Sequence, residues 1–302
     1  MSIVVSGASG LIGSALTDAL REAGHGVTRL VRSSVAAGKE GLGWDPSSGP
    51  RDPQRLEGIE AVVHLAGAGI ASGRWSAARK ELIRASRVEG TRTLATALAS
   101  LRHPPRTLLC ASAVGFYGDR GAEVLGEESL PGTGFLASVC RAWEEAATPA
   151  SAAGIRVVHM RFGVVLSREG GALRRMLVPF RLGLGGPLGN GAQYMSWIAL
   201  DDAVAAILRL LGRAEVRGAV NLVAPHPVTN LEFTRALGRV LSRPTLFAVP
   251  AVAARLAFGE MADEMLLAST RAMPMRLEAS GYTFRYPDID AALGAVLGPR
   301  PH

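Results

Sequence analysis

Hydrophobic and polar positions along the first half of the chain alternate between two rhythms. Ile3-Val4-Val5 is a continuous apolar run that closes on glycine. Residues 10–23 then place Leu11, Ile12, Ala15, Leu16, Ala19 and Leu20 at helical spacing and stop at Gly24. Val27 to Val31 reads as a second strand, Ala61 to Leu65 as a third, Thr107 to Cys110 as a fourth and Ile155 to Met160 as a fifth. Helical patterns fill 75–101 and 134–147. Apolar strands separated by helices predict an α/β fold with a parallel sheet covered on both faces.

The second half changes character. Residues 183–191 form a glycine-rich loop, followed by a helix at 200–212, a strand at 219–223 and a helix from 230. Thr229 and Glu232 fit a capping box, and Asp201 is the expected N-cap of the helix at 200. Pro244, Pro250, Pro274 and Pro287 point to a small irregular lobe. The expected division is 1–165 and 166–302, with 200–224 returning to the first unit. No repeat, coiled coil or low-complexity tract interrupts this plan.

Composition narrows the function classes. The 302 residues carry 33 Lys+Arg and 26 Asp+Glu, a formal charge of +7. Lys39 and Lys80 are the lysines, so the excess is arginine, spread along the chain with no basic tail. That dispersion argues against a nucleic-acid partner. The 2 cysteines cannot make a disulfide framework, which points to a reducing compartment. No apolar run approaches the roughly 18 residues of a membrane span, and no secretory leader pattern opens the chain. The expectation is a soluble cytoplasmic protein with a small-molecule ligand and no membrane partner.

The informative chemistry begins at Gly7-Ala8-Ser9-Gly10-Leu11-Ile12-Gly13, between the first strand and the first helix. A G-x-x-G-x-x-G spacing there lets the backbone turn tightly, approach a pyrophosphate and pack helix on strand. The helix N-terminus turns its unpaired N–H groups toward the phosphates. This context predicts a Rossmann-type, doubly wound sheet that binds a dinucleotide. The end of the second strand selects which one. No acidic residue lies between Glu22 and Glu40, whereas Arg29 and Arg32 occupy the strand and its end, with Ser33 beside them. A guanidinium binds a 2′-phosphate that a carboxylate would repel, so NADP(H) is expected over NAD(H).

Three segments together resemble a known family: the glycine turn, Leu65-Ala66-Gly67, and Ser112-Ala113-Val114-Gly115-Phe116-Tyr117-Gly118. They resemble the extended short-chain dehydrogenases/reductases, and more narrowly their atypical epimerase-like branch. Further segments resemble that branch: Arg74-Trp75, Ser86-Arg87, Trp143-Glu144, Arg161-Phe162-Gly163, Gln193 to Ile198, Asn221, and the tail from Pro274 to Pro287. The resemblance covers nearly the whole chain. It implies a smaller C-terminal substrate lobe, with Leu65, Ala66 and Gly67 along the cofactor riboses. It also implies Arg161, Phe162 and Gly163 near the nicotinamide end.

The wider superfamily uses Ser/Thr, Tyr and Lys, the last two as Tyr-x-x-x-Lys on one helix face. The lysine lowers the tyrosine pKa and the phenol moves the proton. Ser112 stands where the serine belongs, but the helix offers Phe135/Val139 or Leu136/Cys140 in place of Tyr/Lys. Arg87 stands in place of a nearby asparagine. Tyr117 is the alternative acid–base group, and Cys140, His64 and His159 read as packed residues. Arg74, Trp75, Gln193 and Trp197 are the expected substrate-side contacts, with Arg87 and Arg161 as further pocket candidates. The 6 histidines show no metal-ligand spacing, so no metal is expected. The reading is an NADP(H)-dependent oxidoreductase or epimerase-like enzyme, with a non-catalytic NADP(H) sensor as the alternative.

Overall fold

A computed structural model of the protein describes residues 1–32, 41–71 and 73–298; Ser33 lies outside the described residues. The first part runs β1 (Ser2–Ser6), α1 (Leu11–Glu22), β2 (Gly26–Val31), β3 (Gly41–Asp45), β4 (Gly49–Pro50), β5 (Ala61–His64), α2 (Ala77–Ala99) and β6 (Thr107–Ala113). It continues through β7 (Val124–Leu125), α3 (Phe135–Glu145), α4 (Thr148–Ala152), β8 (Arg156–Phe162), β9 (Val164–Leu166) and α5 (Gly171–Arg181). Next come β10 (Tyr194–Met195), β11 (Trp197–Ala199), α6 (Leu200–Leu211), β12 (Gly218–Leu222), β13 (Val228–Thr229) and α7 (Asn230–Leu241). The chain ends with α8 (Ala251–Phe258), β14 (Arg271–Ala272), α9 (Met275–Ala279) and α10 (Ile289–Leu297).

An eight-stranded sheet in the order β12-β8-β6-β5-β1-β2-β3-β4 forms the centre. All its pairings are parallel except β3 with β4. The apolar runs become strands because both faces are covered. Ile3, Val5, Val63 and Val158 pack with Leu16 and Leu20 of α1 and Ile207 of α6. Val4, Val62, Leu108 and Val157 pack on the other side with Leu94 and Leu98 of α2. Neighbouring residues of one strand thus serve opposite cores, as the pleat requires. Pairing of β12 with β8, from Gly218↔Val158 to Leu222↔Phe162, brings residues 218–222 back to the sheet edge.

A separate core serves the C-terminal elements: Leu173, Leu177, Phe180, Trp197, Phe233, Leu237, Ile289 and Leu293. The Thr229–Glu232 capping box forms as expected at α7. Gly41-Leu42-Gly43-Trp44, a stretch given no element in the sequence reading, pairs with β2 and buries Leu42 and Trp44. One local expectation changes. Asp201 is not the N-cap of α6; Ala199 holds that position, and the buried carboxylate is Asp202. Asp202 accepts from the Tyr282 hydroxyl (2.7 Å) and from the Arg285 (2.8 Å) and Tyr286 (2.9 Å) amides, anchoring the tail against the sheet side.

His64 closes β5 inside the protein. Its Nδ1 lies 2.6 Å from Ser6 Oγ, and Trp44 meets its ring edge-on at 5.6 Å. Burial pushes its pKa down to about 4 from the usual 6.5. The native state therefore holds His64 neutral, whereas the unfolded chain takes up a proton as pH falls below about 6.5. Stability is lost through the window from about 6.5 down to about 4. Between pH 7 and 4.5 the wild type should lose about 2–3 kcal/mol more than His64→Gln, measured by urea unfolding.

Candidate active site

The strand order reverses at β1, whose neighbours β2 and β5 lead away in opposite directions. Such a switch point opens a crevice at the carboxyl ends of the strands. Gly7 turns there with φ 67°, and a Cβ on it would sit 2.7 Å from the Leu65 carbonyl carbon and 2.9 Å from the Ala66 nitrogen. A Cβ on Gly13 would strike the Gly7 carbonyl oxygen, and one on Gly10 would lie 3.2 Å from it. The Gly10 amide bonds to Gly7 O (2.9 Å), and the Ser14 amide is the first to reach back into α1, to Gly10 O (2.8 Å). The Leu11, Ile12 and Gly13 amides are left at the open helix end, with no acidic residue in the first turn. A side-chain-free cradle with outward N–H groups, flanked by Ser9 and the β5 end, fits a dinucleotide diphosphate.

Arg32 is exposed directly beyond β2. Arg29, within β2, pairs with Val5 and Gly41, and its Nε is enclosed without a partner. Gly67 follows the cradle, with a Cβ position 3.4 Å from Arg87 Cζ.

A buried polar network lies at the ends of β6, β8 and β12. Arg161 donates through Nε and Nη2 to both oxygens of Glu144, each at 2.8 Å, with side-chain exposures of 5% and 12%. Its Nη1 donates to the Tyr117 hydroxyl (2.9 Å) and to the Glu127 carbonyl (3.2 Å), and its guanidinium lies 3.5 Å from the Phe116 ring centroid. Ser112 Oγ donates to Glu144 (2.7 Å), and Tyr117 donates to Asn221 Oδ1 (2.7 Å). Glu127 accepts from the Asn221 (3.1 Å) and Arg276 (3.2 Å) amides, which ties the C-terminal segment to the sheet. Burial works against the charge on Arg161, but the Glu144 bonds outweigh it and raise its pKa. Burial likewise lifts Glu127 and Tyr117, the latter opposed by Arg161.

This geometry reassigns two residues. Tyr117, expected as an acid–base group, is fully enclosed with its hydroxyl engaged on both sides; it is a strut between β6 and β12. The Arg161 side chain, expected along the cofactor, is turned into the network. Phe162 is buried beside it, and a Cβ on Gly163 would lie 2.6 Å from the Ser196 carbonyl. Leu136 and Cys140 flank Gly115, 3.5 and 3.8 Å from its Cβ position. Burial and then Glu144 push the Cys140 thiol up to about 12, so it is inert at neutral pH.

The substrate-side expectations divide. Arg74 is exposed beside Gly259, and Trp75 donates to Ile70 O (2.8 Å) while meeting Phe135 edge-on at 5.2 Å. Both belong to the loop after β5. Gln193 instead bonds the Leu188 (3.2 Å) and Leu266 (3.1 Å) carbonyls and braces the glycine-rich loop. Trp197 is wholly buried in the C-terminal core and donates to His226 O (3.1 Å), so it is a core residue and not a substrate contact. Glu127 was not singled out by sequence reasoning, and Glu144 entered it only as part of a family-like segment, without a role. Glu144 lies one helical turn beyond Cys140, and a carboxylate among apolar helix positions is the signal that finds it. Among the described residues no cluster of His, Cys, Asp or Glu is arranged to hold a metal, and no helix is long and apolar enough to cross a membrane.

Comparison with known proteins places this geometry in context. The family model for the NAD dependent epimerase/dehydratase family matches residues 3–222, and a domain of unknown function, DUF1731, matches residues 249–296. An epimerase family protein of Mycobacterium bovis is 50% identical over 97% of this chain and 96% of its own. The bovine epimerase family protein SDR39U1 is 37% identical over 98% of this chain and 100% of its own. The human SDR39U1 protein (isoform 2), crystallised with NADPH, superposes with a TM-score of 0.90 at 34% identity, covering 98% of this chain and 99% of that one.

The ion pair at the centre of the network is expected to be costly to break. Glu144→Ala leaves Arg161 buried without a counter-charge and should cost about 3–5 kcal/mol in urea unfolding. The double substitution Glu144→Leu with Arg161→Met should be less destabilising than Glu144→Ala alone, because no lone charge remains inside.

Proposed function

The chain belongs to the NAD dependent epimerase/dehydratase family, and from that premise we propose that it is an NADP(H)-dependent oxidoreductase or epimerase-like enzyme acting on a small hydroxyl- or carbonyl-bearing molecule. The observation that carries this reading is the cradle at Gly7, Gly10 and Gly13, closed to side chains and open to a diphosphate. Ser9 and the amides of Leu11, Ile12 and Gly13 would hold the phosphates, and Leu65, Ala66 and Gly67 would pass along the riboses. Arg32, free of any nearby acid in the sequence from Glu22 to Glu40, would take the 2′-phosphate. The NADPH in the human relative's structure supports the choice of cofactor. When bound, the nicotinamide supplies hydride transfer chemistry.

The chain's own contribution centres on Ser112. Its proton is directed at Glu144, so the oxygen's lone pairs are left to accept a hydrogen bond from a substrate hydroxyl. Glu144 is fixed in turn by the two Arg161 bonds, which hold Ser112 in one orientation. A substrate alcohol losing hydride can pass its proton to Ser112 Oγ while the serine proton moves to Glu144; reduction runs the same path backwards. This Ser–Glu route stands where the superfamily uses Tyr and Lys. We read residues 166–302 as contributing the lobe that encloses the substrate.

A sensor without turnover is the second reading, favoured by the apolar Leu136 and enclosed Cys140, one of the two pairs that the sequence offers in place of Tyr/Lys. Transfer of deuterium from C4-deuterated NADPH to a panel of aldehydes and ketones separates the two. The enzyme reading expects transfer to at least one member, slowed about 100-fold or more by Ser112→Ala. Tight NADPH binding with no transfer to any member would establish the sensor. Arg32→Ala should weaken NADPH about tenfold or more and NADH less than about threefold, by fluorescence titration. Equal losses would overturn the NADP(H) assignment.

A further inference from the structure

The loop after β5 is held in an unusual way. Four successive carbonyls are each taken by a side chain, three from helices outside the loop and one, Trp75, from the loop itself. Ala68 O accepts from Arg87 Nη1 (3.0 Å), Gly69 O from Arg79, Ile70 O from Trp75 Nε1 (2.8 Å) and Ala71 O from Arg175. Three of those four donors are guanidiniums, and a carbonyl dipole does not neutralise a full charge. The nearby acids are engaged elsewhere: Glu260 pairs with Lys80 (2.8 Å), and Glu264 accepts from the Phe135 and Leu136 amides (both 2.9 Å). Between Arg74 and Arg92 the sequence has six basic residues and two acidic ones, Glu81 and Glu89.

Arg87 differs from the others in its surroundings. It is half-buried, its guanidinium lies 5.1 Å from the Trp143 ring centroid, and Nη1 also donates to Ile83 O (3.2 Å). Burial, helped by Arg79, pushes its pKa down. Among the described residues no carboxylate pairs with it. Its Nε and Nη2 have neither a hydrogen-bond partner there nor full enclosure. Its guanidinium carbon lies 3.4 Å from the Cβ position of Gly67. The contrast with Arg161, clamped by both oxygens of Glu144, is direct.

We propose that Arg87 is an oxyanion-binding site at the carboxyl end of the sheet, and that it selects substrates bearing a carboxylate or phosphate group. A planar fork with two free donor positions, backed by an indole face and a low-dielectric wall, suits bidentate recognition of such a group. The proposal rests on the Gly7–Gly13 cradle being the cofactor site, since that places Gly67 and Arg87 beside the bound nucleotide. The same oxyanion chemistry belongs to the cofactor's own diphosphate, and the experiment separates the two sources.

Inorganic phosphate is titrated by calorimetry into wild type, Arg87→Gln and Arg87→Lys, with and without saturating NADPH, at constant ionic strength set by chloride. NADPH affinity and melting temperature are measured in parallel. The expected result is phosphate binding to the NADPH-loaded wild type that weakens about tenfold or more in Arg87→Gln and less in Arg87→Lys, with NADPH affinity changed less than about threefold. If phosphate binds the cofactor-free protein alone and Arg87→Gln weakens NADPH tenfold or more, the oxyanion is the cofactor's and substrate selection by Arg87 is overturned. No millimolar phosphate binding to wild type, or equal binding in a folded Arg87→Gln, overturns the site altogether. Should Arg87→Gln fail to fold, Arg87→Lys decides: a loss of about threefold or more supports the site, and no loss overturns it. A wild type that does not bind NADPH, with phosphate binding that Arg87→Gln still weakens tenfold or more, would sink the cofactor reading and keep Arg87 as an oxyanion site; without that weakening both fall.

Discussion

The interior of this protein is organised around one desolvated guanidinium. Arg161 emerges from β8 into a region with almost no water, and every donor edge must be satisfied there. Glu144 from α3 takes two of its bonds, Tyr117 and the Glu127 carbonyl take the third nitrogen, and Phe116 covers its face. Each partner then has a further bond to make. Ser112 is aimed by Glu144, Asn221 by Tyr117, and Arg276 and Asn221 meet on Glu127. Satisfying one charge thus fixes the ends of three strands and ties the C-terminal segment to them.

The second organising constraint is steric. The reversal of strand order at β1 brings the turn after it against the end of β5, closer than a side chain permits. Gly7 and Gly13 meet that constraint, and the open α1 terminus is its consequence. The cradle and the Arg161 network sit at the same edge of one sheet, so a ligand extended along that edge passes from one to the other. Arg87 reaches toward Gly67, and among the described residues no carboxylate pairs with it. One arginine is neutralised and builds the wall; another is left charged and faces the crevice.

How much of this was legible in the sequence follows from how local each signal is. The alternation of apolar runs and helical spacing gave the main strands and helices within a few residues, because two covered faces demand it. The glycine turn was legible for the same reason: its spacing and position after Val5 imply a close approach. The Gly41–Trp44 strand was not, since its glycines interrupt any apolar run and only pairing with β2 makes it a strand. Ser112 was recognisable by its neighbours, whereas Glu144 acquires meaning only when α3 lays it against β6 and β8. Trp197 and Tyr117 show the reverse error. An aromatic side chain looks alike in sequence whether it lines a pocket or fills a core, and burial against residues far along the chain decides which.

The sequence by itself determined the class of fold and the spacing of the glycine turn, and it shows a stretch without acid between Glu22 and Glu40. These depend on residue type and short spacing, which a linear chain carries in full. Tertiary structure decided the partners of the charges. The sequence shows Arg87 and Arg161 as two arginines among many. The fold buries one beside a carboxylate seventeen residues earlier and holds the other on an indole, with no carboxylate among the described residues to pair with it. Charge pairing is set by distance in space and by the exclusion of water, and neither exists until the chain has folded.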